Sequence, residues 1–415
     1  MKSLYKTGAR DVLLNLFSMS LRVVNGQQCV ANFLSRHALP APKVRVIAIG
    51  KAAASMLQGV LAGHARQVEA GLVITKAGHT ERFDAELTSI TQFESAHPYP
   101  DQRSIEAGRL LLDFIEQAPR DTGLLFLISG GTSSLVEVLP DAGDVAQLQK
   151  LNHWLLAQGW PIDQMNQVRK SVSLIKAGRL ARWIGGHAVM QLVISDVPGD
   201  DLSVIGSGLL AADTHVGSLP DALPDWIVQM QAQVPAAPAA NEACFARIES
   251  HIIASNHLLR AEVTRLAGAM GYTVRCNQFV DGDAARQGLA LARMLIEGAA
   301  GIYIWGGETV VPLPPQPGQG GRCQHLALAA AQILAGHDNM TLLAVGSDGT
   351  DGPGEVAGAL VDGHTLERGR DAGALTAAEA LQRADAGRFL AASGDLVDTG
   401  PTGTNVMDLI IGLKT

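Results

Sequence analysis

The feature that most constrains this chain is an alternation. Short apolar runs end in glycine or serine, and each is followed by residues spaced like one face of a helix. "VRVIAIG" (44–50) precedes "KAAASMLQGVLAGH" (51–64), and "GLLFLISGG" (123–131) precedes a polar loop and "VAQLQKLNHWLLAQG" (145–159). "AVMQLVISDVPGDD" (188–201) follows the helix-like "SLIKAGRLARWIG" (173–185). Strands that are apolar at nearly every position bury both faces, and the intervening helices supply the cover. The pattern predicts a parallel, doubly wound α/β sheet. Ligands of such sheets sit beyond the carboxyl ends of the strands, where the glycine-rich loops of this chain fall.

The Ala/Pro run Val234–Ala240 reads as a linker. After it the alternation resumes with "HIIAS", a helix from about Asn256, "YTVRC", a helix from about Asp283, "GIYIWGGETVVPL", a helix from Arg322, and "MTLLAVGSDGTDG". Two α/β domains are expected, residues 1–235 and 241–415. The 45 glycines of the 415 residues have no period, which excludes collagen-like and low-complexity structure.

A net charge of -8 without a basic run argues against nucleic acid as a partner. The four cysteines, at 29, 244, 276 and 323, form no metal or redox spacing, as expected of reduced thiols in the cytoplasm. Leucines at 13, 14 and 21 fit an amphipathic N-terminal helix rather than a signal peptide, and no run of 18 apolar residues suggests a membrane span. A homo-oligomer is compatible with all of this.

Several residues could carry chemistry. Lys51 stands directly after an apparently buried strand and at the start of a helix, against the helix dipole, a placement that invites an anion. Ser129, Gly130, Gly131, Thr132, Ser133 and Ser134 offer hydroxyls and unhindered N–H groups to a carboxylate or phosphate. Arg169 and Lys176, seven apart, would share a helix face with Lys170 and Arg179 nearby; a solvated basic face is the alternative. Asp196, just past a strand, suits a magnesium ion or a base, while one of Asp200 and Asp201 suits helix capping. From Gly306 to Arg322 a strand, a Pro/Gly loop and a helix mouth follow in turn, an arrangement able to take an anion. "GSDGTDGPG" (346–354) and "DTGPTGTNVMDL" (398–409) are further loops of Gly, Asp and Thr. The P-loop, the dinucleotide fingerprint, HExxH and GxSxG are all missing, and Ser173-x-x-Lys176 lacks the partner motifs in the right order.

"IGKAAASM", "AHPYPD", "LISGG", "MNQVRKSVSLIKAGRLA", "VISDVPGDD", "GGET", "GSDGTDGP" and "DTGPTGTNVMDL" occur in an order that resembles the class II glycerate kinases. These are glycerate 2-kinases, whose bacterial members were formerly labelled hydroxypyruvate reductases. The resemblance spans about residues 5–413. It implies a Rossmann-like N-terminal domain, a smaller C-terminal α/β domain and a cleft between them. It implies ATP-dependent phosphorylation of D-glycerate, or a related small sugar acid, at the 2-hydroxyl with Mg2+ or another divalent cation. Lys51, Asp196 and Arg322 fall on the family's catalytic positions, with Asp196 also the candidate metal ligand. The substrate would meet Ser129, Gly130, Gly131, Thr132, Ser133, Asn166, Arg169 and Lys170. The nucleotide would meet Gly306, Gly307, Glu308, Thr309, Asp348, Asp351, Gly400, Thr402, Gly403 and Asn405. An NAD(P)H-dependent hydroxypyruvate reductase and a non-catalytic binder of sugar acids or nucleotides are the alternatives. The family's GRNQE reads "GRCQH" here, so Cys323 and His325 replace an amide and an acid. His325, one turn past Arg322, is expected to leave that arginine less tightly held and to favour a larger or more anionic acid.

Overall fold

The computed structural model describes residues 8–83, 89–140, 145–160, 162–214 and 223–415. By contacts the chain divides into two units, Gly26–Ile253, and Met1–Asn25 together with Ala254–Thr415. The expected division was 1–235 and 241–415, so the structure differs at both ends of the first segment. Helix α1 (Ala9–Val24) explains the first difference. It buries Val12, Leu13, Leu16, Phe17, Ser20 and Val24 along one face, and it packs on elements from the far end of the chain.

The unit Gly26–Ile253 holds helix α2 (Gly26–Leu34) and one six-stranded sheet. Its strands are β1 (Val44–Ile49), β2 (Val68–Lys76), β3 (Ile90–Ser95), β4 (Gly123–Ile128), β5 (Val189–Ile194) and β6 (Ile248–Ala254). Their order is β3-β2-β1-β4-β5-β6, and the pairs from β3 through β5 are parallel. The helices are α3 (Ala53–His64), α4 (Gln102–Glu116), α5 (Thr132–Leu135), α6 (Val145–Ala157), α7 (Ile162–Ser171) and α8 (Asp225–Ala232). β4 and β5 are buried at every position, as strands covered on both faces are; β4 is wholly apolar and β5 carries one polar residue, Gln191.

Two expectations are corrected here. "SLIKAGRLARWIG" is not an α-helix. Helix α7 ends at Ser171, and Ala177 (φ 54°) and Gly178 (φ 78°) turn the chain before a short 3-10 stretch, Arg179–Trp183. Nor does Val234–Ala240 end the unit. Arg179 Nε donates to Pro235 O (2.7 Å) and Arg182 Nη1 to Ala236 O (2.8 Å), while Phe245, Ile248 and Ile252 pack on the core of the parallel sheet. "HIIAS" therefore belongs to the first sheet, beside β5.

The second unit holds β7 (Val274–Asp283), β8 (Gly301–Val310), β9 (Met340–Gly346), β10 (Gly358–Asp362), β11 (Leu396–Val397) and β12 (Asp408–Lys414), in the order β11-β10-β9-β12-β8-β7. Only β7 and β8 run parallel; every other pair is antiparallel. Helices α9 (Asn256–Ala269) and α10 (Ala284–Glu297) begin within a residue of their expected starts, because Ser255 and Asp283 cap them by accepting from Leu258 N and Arg286 N. Helix α11 (Arg322–Leu334) is buried along nearly its whole length, in a core with Leu291, Trp305, Leu342 and Phe389. The shorter helices α12 (Thr365–Asp371), α13 (Ala377–Gln382) and α14 (Ala386–Ser393) complete the unit, and α1 packs on α9, β9 and β12.

Candidate active site

In the first sheet β1 and β4 are neighbours, Ile49 opposite Ile128, although β2 and β3 lie between them in sequence. The strand order reverses there, which marks the crevice where ligands of open α/β sheets bind. The loops at that point are Gly50–Lys51 and Ser129–Ser134, and they are laced together. Lys51 N donates to Gly130 O (2.9 Å), Ala52 N donates to Ser129 Oγ (3.1 Å), and Thr132 Oγ1 lies 2.9 Å from Ile49 O and 2.7 Å from Ser129 O. Gly50 (φ 127°) admits this approach, since a Cβ there would collide with the Ser129 hydroxyl. Gly131 (φ 88°) likewise lies against the His97 ring.

The two hydroxyls singled out first, Ser129 and Thr132, are thus fully buried and bonded within the protein. Ser133 remains half-buried, with its Oγ 2.7 Å from Ser207 Oγ. Lys51 is half-buried at the same edge. Asp196 follows β5, which pairs with β4, so its half-buried carboxylate stands at that edge as well. Asp201 accepts from Ser203 N at 2.7 Å in a turn; the helix capping expected of one of the two aspartates is not seen, since the short 3-10 helix that follows, Ile205–Ser207, has Val204 at its N-cap.

The basic cluster does not form one helix face, because no helix continues past Ser171. Lys176 is buried and pairs with Glu137 (2.6 Å), which also accepts from Ser173 Oγ (2.5 Å). Lys170, also buried, pairs with Asp213 (3.1 Å). Arg169 donates to Asn166 Oδ1 (3.2 Å), and its buried Nε has no hydrogen-bond partner. Burial lowers the pKa of Arg169, with Glu137 and Tyr99 opposing.

In the second sheet the antiparallel register brings three loops to one edge. Asp408 opens β12 opposite Gly307 of β8 and Gly346 of β9. Arg322, the first residue of α11, donates from Nε to Asp408 Oδ2 (2.7 Å) and from Nη2 to Asp408 Oδ1 (3.1 Å), and its Nη1 pairs with Glu308. Burial acts to lower the pKa of Arg322, but Asp408 and Glu308 outweigh it and the net shift is upward, so the guanidinium stays charged. The expectation that His325 leaves Arg322 loosely held is corrected, because Asp408 holds the arginine instead. His325 is itself buried, which lowers its pKa and keeps it neutral near pH 7, with Asp283 as the opposing charge.

The mouth of α11 is already occupied by a carboxyl group of the protein, whose pKa burial raises against the pull of the bonds it accepts. Asp351, fully buried, accepts from Cys323 N (3.0 Å), Gln324 N (2.8 Å) and Gln324 Nε2 (3.0 Å). A Cβ on Gly321 would collide with the Asp351 side chain, so the glycine run before Arg322 admits the protein's own carboxylate to the helix N-terminus. Gly306 and Gly307 serve close packing too: a Cβ on either would collide with Asn256 Oδ1 or Val280 O. Thr309 is buried.

The remaining loops are tied to each other. Thr402 Oγ1 donates to Ser347 O (2.5 Å), Val406 N to Ser347 Oγ (2.8 Å), and Thr350 N to Asp348 Oδ1 (3.0 Å). A Cβ on Gly349 would collide with Gly400 O, and Gly400 and Gly403 take φ of 60° and 71°. Asn405 and Asp348 are half-buried. Sequence reasoning missed Asp408 and Asn256. Both stood inside strings it had noticed, but neither announces its burial or its partner.

Each sheet thus presents, at one loop-bearing edge, a cation whose setting is fixed by hydrogen bonds. That arrangement is an α/β fold with two cationic loop clusters of the kind that suits small anions. Family models sharpen the class: residues 12–235 match "Domain of unknown function (DUF4147)" and residues 301–408 match the MOFRL family. The D-glycerate 2-kinase of Thermotoga maritima is 33% identical over 97% of this chain and 98% of its own. The glycerate 2-kinase of Pyrococcus horikoshii is 31% identical over 90% and 88%, and a putative hydroxypyruvate reductase of Agrobacterium vitis is 32% identical over 97% and 93%. The crystal structure of glycerate kinase from Thermotoga maritima superposes with a TM-score of 0.83 at 32% identity, covering 98% of this chain and 99% of that one. The chain belongs to the glycerate 2-kinase family.

Proposed function

We propose that the protein is an ATP-dependent kinase that phosphorylates the 2-hydroxyl of D-glycerate, giving 2-phosphoglycerate and ADP. The observation that carries this reading is the end-to-end match, in sequence and in fold, to glycerate kinases. In the reaction the substrate oxygen bonds to the γ-phosphorus, the bond from that phosphorus to the β–γ bridging oxygen breaks, and the hydroxyl proton passes to a base. Such a transfer needs mainly positioning and neutralisation of the charge spread over the phosphoryl oxygens.

Lys51 and Arg322 are assigned that neutralisation and Asp196 the role of base. Arg169 suits the substrate carboxylate better than Lys170, whose charge is already matched by Asp213. Ser133, Gly130 and Gly131 complete the substrate loop. The nucleotide is assigned to the loops of Asp348 and of Gly400, Thr402, Gly403 and Asn405. Mg2+ binds through one or two carboxylates and the substrate phosphates, and Asp196 is a hard oxygen donor of the right kind. When bound, the ion offsets phosphate charge. The cytoplasm is the proposed location; among the described residues no helix is long and apolar enough to cross a membrane.

Purified protein with D-glycerate, ATP and MgCl2 is expected to release ADP in a coupled assay, with the product phosphate on C2 by 31P NMR. Hydroxypyruvate with NADH or NADPH is expected to give no oxidation. Steady reduced-nucleotide turnover, with no ADP formed, would overturn the reading.

A further inference from the structure

The Arg322 guanidinium has five N–H groups, and three are engaged, two by Asp408 and one by Glu308. The two carboxylates differ in kind. The Asp408 side chain is 5% exposed and grips the Nε edge with both oxygens, whereas the Glu308 side chain is 41% exposed and touches Nη1 only. Asp408 is in turn anchored through its own backbone. The Asn256 side chain, at the start of α9, donates to Val406 O (3.0 Å) and to Asp408 O (2.9 Å), and Arg260 Nε holds Asn256 Oδ1 (2.9 Å). Gly306 leaves room for that amide. Met407, at φ 66°, turns the chain immediately before Asp408. A relay of fixed contacts therefore runs from α9 through the start of β12 to the guanidinium.

We propose that Asp408 is the positioning residue of the phosphoryl-transfer arginine: its bidentate grip on the Nε edge sets the plane of Arg322 and leaves the remaining donors to face the transferring group. Glu308, the exposed and single-contact partner, is the one that yields when an anion arrives. The inference rests on the reading of Arg322 as a catalytic residue. A planar fork held along one edge keeps its orientation, which a point charge does not require.

Burial, with Asp351 and Glu308 adding to it, outweighs the downward pull of Arg322 and leaves the pKa of Asp408 raised to about 7; the Cys323 thiol is a further ionisable group beside it. The grip thus strengthens as pH rises through neutrality.

The test compares Asp408→Asn, Asp408→Glu, Arg322→Ala and the double variant Asp408→Asn/Arg322→Ala, each checked for folding by thermal melting. Asp408→Asn is expected to lower kcat on the order of 10²-fold, the scale of a misplaced catalytic group, with KM for glycerate little changed. It is also expected to abolish a limb of the kcat–pH profile that rises near pH 7 in the unmodified protein. In the double variant the Asp408 change should cost nothing further, because it acts through Arg322. Asp408→Glu keeps the charge but shifts the fork, and is expected to retain the pH limb at reduced kcat; it carries the test if the Asn variant does not fold. If Arg322→Ala is inactive while Asp408→Asn keeps normal kcat and the same pH profile, the positioning role is overturned and the reading of Arg322 survives. If Arg322→Ala keeps normal turnover, both fall.

Discussion

Lys51 and Arg322 are placed in opposite ways. At Lys51 the backbone is fixed: its own N–H bonds to Gly130 O, the next N–H bonds to the Ser129 hydroxyl, and Gly50 lets the two loops touch. Arg322 is placed by its side chain, gripped by Asp408 and met by Glu308. The difference follows from the two cations. An ammonium is a compact charge with rotatable donors, so locating its Cα is enough to aim it. A guanidinium is a flat fork whose orientation carries the function, so the plane itself has to be held. The first loop set is built of glycine and hydroxyls, and the second of buried carboxylates, for that reason.

The largest expected effect is on turnover. Lys51→Ala and Arg322→Ala should each reduce kcat by about 10³-fold or more, the usual scale for a charge-stabilising group in phosphoryl transfer. The comparison predicts that they part in stability. Arg322→Ala strands the buried Asp408 and should lose about 1–3 kcal/mol, more than Lys51→Ala, which leaves the backbone bonds of its loop in place. Equal melting temperatures for the two variants would break the distinction.

Exchanging the cations sharpens it. Arg322→Lys cannot reproduce the two-oxygen grip and is expected to stay within about tenfold of the alanine variant. A lysine that restored most of the rate would show that orientation does not matter there.

Next in size is the glycine at the Lys51 loop. Gly50→Ala meets both a positive φ and the Ser129 hydroxyl, and is expected to cost about 2 kcal/mol in urea unfolding and to depress activity with it. Ser129→Ala removes the acceptor for Ala52 N and a long bond to Ile49 O (3.5 Å), and should cost about 1 kcal/mol. If Gly50→Ala proved the milder of the two, backbone placement of Lys51 would not be the controlling feature.

The smallest expected effect on turnover belongs to the helix mouth. Asp351→Ala removes the acceptor for two N–H groups of the first turn of α11 and should cost about 1–2 kcal/mol, with Arg322 still held by Asp408 and turnover reduced only mildly. A loss of activity as large as that of Arg322→Ala would mean that Asp351 also controls the arginine.

Much of this was legible in the chain. The strands Val44–Ile49, Gly123–Ile128 and Val189–Ile194 could be read because they are apolar at nearly every position, and the starts of α9 and α10 because Ser255 and Asp283 are local capping signals. The placement of Lys51 and Arg322 at the mouths of their loops could be read because glycine-rich turns stand beside them. The sheet to which "HIIAS" belongs could not, since an apolar strand carries no mark of its neighbours. The insertion of β12 antiparallel between β8 and β9 was hidden for the same reason. The basic cluster after Asn166 misled because helical spacing was extended across Ala177 and Gly178, where the backbone turns.

The sequence by itself determined where strands and helices form, which turns need glycine and which family the chain joins, because these depend on residues within a few positions of one another or on strings read in order. Tertiary structure alone decided what each charged group does. Asp351 and Asp348 lie three residues apart in one glycine-rich loop, yet the first is buried as the cap of α11 while the second is half-buried and bonded to Thr350. Arg322 found its grip 86 residues away in Asp408. Burial and pairing are properties of the space around a side chain. That space is filled by strand register and loop packing, which no local stretch of sequence contains.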